Sequence, residues 1–272
     1  MKDLTDMLAQ ATITASQVAD IDRAKLMSIL EENSYAVISG LISPEDIRAA
    51  KKRIKDQFSV ENDHPATGES PEDLYKNFQK FSIGSGDLRE KDLAKALRTY
   101  YNPIWADDIY GMREPLRTAA QVRNLLMGAD LQFAVDSIQD GFWTGARIHH
   151  YPSGGGFMQG HKEDYIPKFY EEAGLELCYY QPIILMSKRG DGEDCDYESG
   201  GGYFESRDGE RCYYEGYTEM GDVVIYDTQL FHGVTEVDPR KPFRQASTEG
   251  RYIAFSTLYK DLSATSSDSK SK

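Results

Sequence analysis

Three side chains with a suggestive spacing stand out in this sequence: His161 and Glu163, two positions apart, and His232, 71 residues after the first. Two imidazoles and one carboxylate can occupy one face of an octahedral iron(II) and leave three positions open, enough for a bidentate co-substrate and dioxygen. The same donors can hold zinc, which would suit hydrolysis instead. On an extended strand, residues two apart point the same way, so His161 and Glu163 can share a face. His-x-Glu alone is a weak signal that arises often by chance. Its surroundings are more specific. The first segment, Arg147 to Asp164 (RIHHYPSGGGFMQGHKED), carries a strand ending in Tyr151-Pro152 and then a glycine turn. The second, Gly221 to Val234 (GDVVIYDTQLFHGV), runs an apolar strand into His232. Asp164 is a rival ligand, but its spacing from His161 turns it to the opposite strand face. It is expected instead beside the metal, binding a polar or cationic part of a substrate. His149 and His150 alternate across a strand, so only one can face a cavity, and both are read as structural.

The elements that must position these residues divide the chain near Leu131. Before it, Leu26, Ile29 and Leu30 recur at helical spacing, and a β-like run at 35–38 follows. Ser43-Pro44-Glu45-Asp46 is a strong helix start, with a capping serine, a proline in the first turn and acids near the positive end of the dipole. Ser70-Pro71-Glu72-Asp73 repeats that signal, and 104–127 reads as helical with Pro115 marking a break. The expectation for 1–130 is therefore a mainly helical part. After it, β-rich runs fall at 131–138, 146–151, 177–187, 201–206, 211–215, 222–226, 230–235 and 251–259. Asp208-Gly209 between two of them signals a hairpin. Strands so spaced suggest a sandwich or jelly roll. No linker separates the halves, so 1–260 is expected to be a single domain, with 131–260 as its jelly-roll core buttressed by helices. Residues 261–272 form a small, polar tail expected to be disordered.

With those residues in view, the sequence resembles the iron(II)/2-oxoglutarate-dependent dioxygenases, and among them the prolyl-hydroxylase-like group. Tyr151, the glycine turn and His161-x-Glu163 are similar to that group's tyrosine, glycine turn and His-x-Asp, with the tyrosine ten residues before the histidine. Gly250 to Tyr259 (GRYIAFSTLY) resembles the closing strand that opens with a basic residue. The specific likeness covers about 147–259 and is loose over 1–130. It implies a mainly β fold with a double-stranded β-helix (jelly-roll, cupin-like) core. It also implies His161, Glu163 and His232 as ligands of iron(II), and Arg251 and Tyr151 as the grip on the distal carboxylate of 2-oxoglutarate. A guanidinium suits that task, since it can hold a carboxylate through two parallel hydrogen bonds. Two departures are present: glutamate stands where the group has aspartate, and Arg251 follows His232 by 19 residues, a longer gap than usual. Arg240 and Arg244 lie inside that gap as rivals, but in a proline-containing loop.

The activity so implied is hydroxylation of an unactivated C–H bond with release of succinate and carbon dioxide, using dioxygen and no catalytic residue beyond the metal ligands. The carboxylate at Glu163 favours hydroxylation over halogenation. A small molecule, such as an amino acid or biosynthetic intermediate, is the expected substrate, with a peptide or protein side chain second. A jelly-roll binding protein without catalysis is the reading from another class. The runs 59–105 and 188–200 could form a lid, with Phe81, Tyr100, Tyr101 and Trp105 as lining aromatics and Trp105 as a substrate contact. The acidic loop Asp191–Glu198 lacks the sixth-position glycine of an EF-hand loop.

Composition narrows the partners. The net charge of −14, from 31 basic and 45 acidic residues, argues against a phosphate-binding surface and so against nucleic acid. The basic run Lys51, Lys52, Arg53 and Lys55 has acidic neighbours and reads as a solvated helix face. Three cysteines without a CxxC suit a reducing compartment. No secretion signal or membrane-length apolar run is visible, so a cytoplasmic location is expected.

Overall fold

The computed structural model describes residues 10–64, 76–84, 86, 93–163, 180–205 and 209–260. The expected tail after 260, the helix start at Ser70–Asp73 and Asp164 lie outside these residues. Among the described residues twelve strands form: β1 (Thr12–Thr14), β2 (Tyr35–Ser39), β3 (Phe78–Ile83), β4 (Ala94–Tyr101), β5 (Phe142–Pro152), β6 (Phe157–His161), β7 (Tyr180–Leu185), β8 (Gly201–Glu205), β9 (Arg211–Cys212), β10 (Val223–Asp227), β11 (His232–Thr235) and β12 (Gly250–Lys260). Helices α1 (Arg23–Asn33), α2 (Pro44–Gln57) and α3 (Arg113–Met127) complete the framework. The fold is mostly β, of the sandwich or jelly-roll kind.

Hydrogen-bonded neighbours follow one path, β1-β2-β10-β7-β12-β5-β4-β6-β11-β8-β9, with β3 beside β4. β4 carries the path from one layer to the other: Arg98–Tyr101 pair with β5, and Ala94 and Ala96 pair with β6. β5 and β6 are consecutive in sequence, joined by the glycine turn. Gly154 there adopts φ +82°, and a Cβ on it would collide with the backbone of Lys241–Phe243, so the turn needs glycine. A cavity of about 440 Å³ lies between the layers, lined from one side by β5 and β12 and from the other by β6, β8 and β11.

Strand alternation decides which side chains see that cavity. On β12, Arg251, Ile253, Phe255 and Thr257 line it. Tyr252 and Ala254 join the core cluster with Leu116, Ala119 and Ala120 of α3. The Ser256 hydroxyl donates to the Leu116 carbonyl at 2.8 Å, tying strand to helix. Both faces of β12 are therefore covered, which explains its apolar run. α2 begins as expected, with the Ser43 hydroxyl accepting from the amides of Glu45 and Asp46, and buries Ile47, Ala50 and Ile54.

The first half departs from the mainly helical expectation: β1 to β4 lie there, and helix occupies 113–127 rather than 104–127. Pro115 falls in the first turn of α3, where its missing N–H has no intrahelical acceptor to lose, so no break results. Residues 131–135, expected to be a strand, form turns. The hairpin expected at Asp208-Gly209 has its strands paired, Phe204 with Cys212 and Glu205 with Arg211, although Asp208 itself lies outside the described residues. No described helix is long and apolar enough to cross a membrane.

β4 is locked to the loop before β3 by a buried ion pair. Arg98 and Asp63 have side chains only 0 % and 4 % exposed, with two hydrogen bonds of 2.8 Å between them. Arg98 also contacts His150 at 3.2 Å and lies over the rings of Phe58 and Phe81. Burial alone would raise the Asp63 carboxyl, but hydrogen bonds from Arg98 and Gln79 bring it below its ordinary value. Such a depressed carboxyl contributes stability that is present above its unfolded pKa and is lost as pH falls through the folded one. Asp63→Ala is expected to cost about 3–5 kcal/mol at neutral pH by leaving Arg98 buried and unpaired. It should also flatten the acid limb of the stability curve. Urea unfolding of both proteins from neutral into acid pH checks both effects, and parallel acid limbs would refute the second.

Candidate metal centre

His161 ends β6 and His232 begins β11, and the two are paired across the antiparallel ladder. Their rings stand 4.6 Å apart between centroids. Glu163 lies just past the end of β6, where its amide donates to the Thr228 carbonyl at 2.9 Å and fixes the chain. The Glu163 carboxylate then sits 3.4 Å from Nε2 of His161 and 3.7 Å from Nε2 of His232. All three candidate ligand atoms fall within 4.8 Å of one another, and among the described residues no other group of histidine, cysteine or acidic side chains converges this way.

Both imidazoles are oriented by the main chain two residues earlier. Nδ1 of His161 donates to the Gln159 carbonyl and Nδ1 of His232 to the Leu230 carbonyl, each at 2.8 Å. That bond places a proton on Nδ1 and turns Nε2 towards Glu163, so Nε2 is the nitrogen that can bind a metal once it carries no proton. Burial alone would raise the Glu163 carboxyl, but the two imidazoles hold it well below the ordinary carboxylate range. Burial would lower His161, and the hydrogen bond and charge of Glu163 raise it instead. In the metal-free centre the carboxylate is ionised and favours a proton on the facing imidazole nitrogen. A divalent cation taking that proton's place would meet one carboxylate oxygen and two Nε2 atoms, a suitable donor set.

In the same cavity, Arg251 and Tyr151 are cross-strand partners on β12 and β5. The guanidinium is fully buried and lies over the Tyr151 ring, 5.1 Å from its centroid. Nε donates to Glu215 at 2.6 Å and Nη2 to the Tyr214 hydroxyl at 2.9 Å, whereas Nη1 has no hydrogen-bond partner. Glu215 is in turn held by the Tyr197 hydroxyl at 2.5 Å and the Gly202 amide at 2.8 Å. An unpartnered buried N–H is costly and uncommon. Here it belongs to a permanently charged group lining a cavity, which is how a site for an anion looks.

Arg240 and Arg244, the rivals of Arg251, are exposed. Of the adjacent histidines, His149 lines the cavity, and His150 turns to Arg98 and the Glu249 carbonyl. Trp105 does not reach the cavity: it packs edge-on against Trp143, which stacks on Tyr259, so a second ring separates it from the lining. Phe81, Tyr100 and Tyr101 are likewise absent from the lining, and so is every residue of 188–200. The acidic loop packs elsewhere, with Asp196 bonded to Lys51 of α2 and to the Lys188 amide. Glu215, Tyr214 and Arg147 were not anticipated. Arg147 precedes His149 and Tyr151 at alternate positions on β5, a periodicity that could have found it. Glu215 sits in a short 3-10 turn 36 residues before Arg251 and has no local signal.

No family model matches the sequence, and no curated protein does. Solved structures do. A prolyl-4-hydroxylase from Pseudomonas putida aligns at 12% identity and TM-score 0.52, covering 88% of this chain and 99% of that one. A full-length Neurospora crassa protein in complex with alpha-KG aligns at 14% identity and TM-score 0.46, covering 92% and 85%. A prolyl hydroxylase from Trichoplax adhaerens, in complex with a peptide fragment of the hypoxia inducible factor oxygen degradation domain, aligns at 8% identity and TM-score 0.49, covering 90% and 92%. Across most of its length, this chain has the fold of the bacterial prolyl-4-hydroxylase.

Proposed function

We propose that this chain is a non-haem iron(II)- and 2-oxoglutarate-dependent dioxygenase that hydroxylates an unactivated C–H bond of a small molecule, releasing succinate and carbon dioxide. The observation that carries this reading is the unpartnered Nη1 of buried Arg251, a residue that lines the cavity shared with His161, Glu163 and His232. In a hydrolytic zinc centre, Arg251 and Tyr151 would lack the co-substrate role assigned to them here. Iron(II), 2-oxoglutarate and dioxygen bound together supply the oxidising power for oxygen insertion. The chain's own residues do the rest. His161, Glu163 and His232 hold the metal. Arg251 takes the distal carboxylate of the co-substrate through Nη1, with Tyr151 beneath the guanidinium. Apolar walls such as Ile253, Phe255 and Val234 exclude water and confine the substrate. No general acid or base is needed.

On this reading the two layers are a double-stranded β-helix and residues 1–260 a single domain. The second reading, hydroxylation of a prolyl residue in a peptide, draws on the activity named for the Pseudomonas putida relative and requires an open groove across the metal.

The test needs no substrate. Iron(II) and then 2-oxoglutarate are added to the purified protein without oxygen, and the visible charge-transfer band of the chelate is sought. A saturable band at one equivalent of each is expected. A protein that retains iron but shows no band with 2-oxoglutarate would refute the co-substrate assignment.

A further inference from the structure

Tyr214 and Glu215 share the short 3-10 turn Tyr214–Gly216 that follows β9. Both reach Arg251: Glu215 takes Nε at 2.6 Å and the Tyr214 hydroxyl takes Nη2 at 2.9 Å. In the second bond the hydroxyl can only accept, because a guanidinium has donors and no acceptor. The phenolic proton is therefore left to serve another partner. The neighbouring carboxylate does not take it. Oε1 of Glu215 accepts from Arg251, and Oε2 accepts from the Tyr197 hydroxyl and the Gly202 amide. Among the described residues no acceptor meets the Tyr214 O–H.

The surroundings hold that donor in place. Tyr214 is 4 % exposed, lines the cavity and stacks on Phe204 of β8 with ring centroids 4.7 Å apart. Its hydroxyl lies against Gly202, where a Cβ would collide with it and come within 2.7 Å of Arg251 Nη2. Glycine at 202 leaves both groups their room. Burial pushes the Tyr214 phenol above its ordinary value, so it keeps its proton and acts as a neutral donor. The bond from Nη2 also polarises the O–H and strengthens it as a donor.

Arg251 alone offers an incoming carboxylate one unpartnered nitrogen, Nη1, since Nε and Nη2 already donate elsewhere. The strongest carboxylate grips use two donors at once. Tyr151 turns its ring to the guanidinium, with the centroid 5.1 Å away, and its hydroxyl makes a long contact of 3.5 Å with Nδ1 of His149. We propose that Tyr214 donates the second hydrogen bond to the distal carboxylate of 2-oxoglutarate, beside Nη1 of Arg251, while Tyr151 acts through its ring. This rests on the oxygenase reading above. The grip is then shared between the two layers, one charged donor coming from β12 and one neutral donor packed on β8.

Anaerobic titration of iron(II)-loaded protein with 2-oxoglutarate, read by the chelate band, tests this. Tyr214→Phe keeps the ring on Phe204 and removes only the hydroxyl. It should weaken 2-oxoglutarate binding by about tenfold or more, the worth of one hydrogen bond to a charged group. Tyr151→Phe should change it by less than about threefold. 2-Oxopentanoate has the same chelating head and no distal carboxylate, so native protein and Tyr214→Phe should bind it within about threefold of each other. Equal binding of that probe also certifies that the variant is folded. The double variant Arg251→Met with Glu215→Gln decides whether Tyr214 donates itself or only places Arg251. Adding Tyr214→Phe there should cost a further loss of about threefold or more.

Unchanged affinity in Tyr214→Phe, an equal loss for 2-oxopentanoate, a larger loss in Tyr151→Phe, or no further loss in the double-variant background would each overturn the proposal. Native protein that retains iron and forms no band would remove the oxygenase reading and this proposal with it. A native band whose titration is insensitive to Tyr214→Phe would remove the proposal alone.

Discussion

Arg251→Ala is expected to lose about 3–5 kcal/mol of stability, because it leaves the Glu215 carboxylate buried without its cation. It should also weaken 2-oxoglutarate binding by about thirtyfold or more, the cost of deleting one partner of a buried charge pair. The two effects have different origins and can be separated. Glu215 is only 2 % exposed, and the donors from Tyr197 and Gly202 do not cancel its charge. The double variant Arg251→Met with Glu215→Gln removes both charges and keeps the volume. It should regain most of the lost stability, since well-packed neutral replacements for buried pairs are often tolerated. It should not regain 2-oxoglutarate affinity. Urea unfolding reads the first quantity and titration of the chelate band the second. A double variant that restored both would mean that Arg251 acts only by holding the fold, and a single variant with unchanged affinity would remove it from the co-substrate site.

His161→Ala and His232→Ala should each weaken iron(II) binding by more than the roughly 10–100-fold typical of losing an outer partner of a ligand, since a direct donor is lost. Both side chains are 12 % exposed at strand ends, so thermal unfolding of the metal-free variants should stay close to that of the native protein. Metal content after desalting, together with the chelate band and succinate release, gives the readout. A variant that keeps stoichiometric iron would place the metal elsewhere.

The candidate site was more legible in the sequence than the scaffold around it. His161, Glu163 and Arg251 could be read because strand alternation and short motifs place them. His232 could be read because an apolar strand runs into it. What holds Arg251 could not. Glu215 meets it through tertiary packing alone, and a glutamate in a tyrosine-rich turn looks like any surface acid. The same holds for Asp63 and Arg98, joined across 35 residues. β4 was missed for another reason. It is buried on both faces over most of its length, so it lacks the polar alternation of a half-exposed strand and, with Lys95 and Arg98 in it, resembles neither template. Trp105 packs against Trp143 outside the cavity lining: aromatic character says that a residue is buried, not in which cluster.

The hydrogen bonds that orient the two imidazoles come from main-chain carbonyls, Gln159 and Leu230, and not from side chains. A carboxylate in that role could be exchanged for an amide or a hydroxyl by a single nucleotide change, and the basicity of the ligand would drift with it. A carbonyl cannot be exchanged. Its direction is set by the path of β6 and β11, so no point substitution at Gln159 or Leu230 deletes the contact, and only a change in strand curvature can retune it. The electronic character of this centre is therefore insulated from ordinary sequence variation, while the walls of the cavity remain free to diverge towards new substrates.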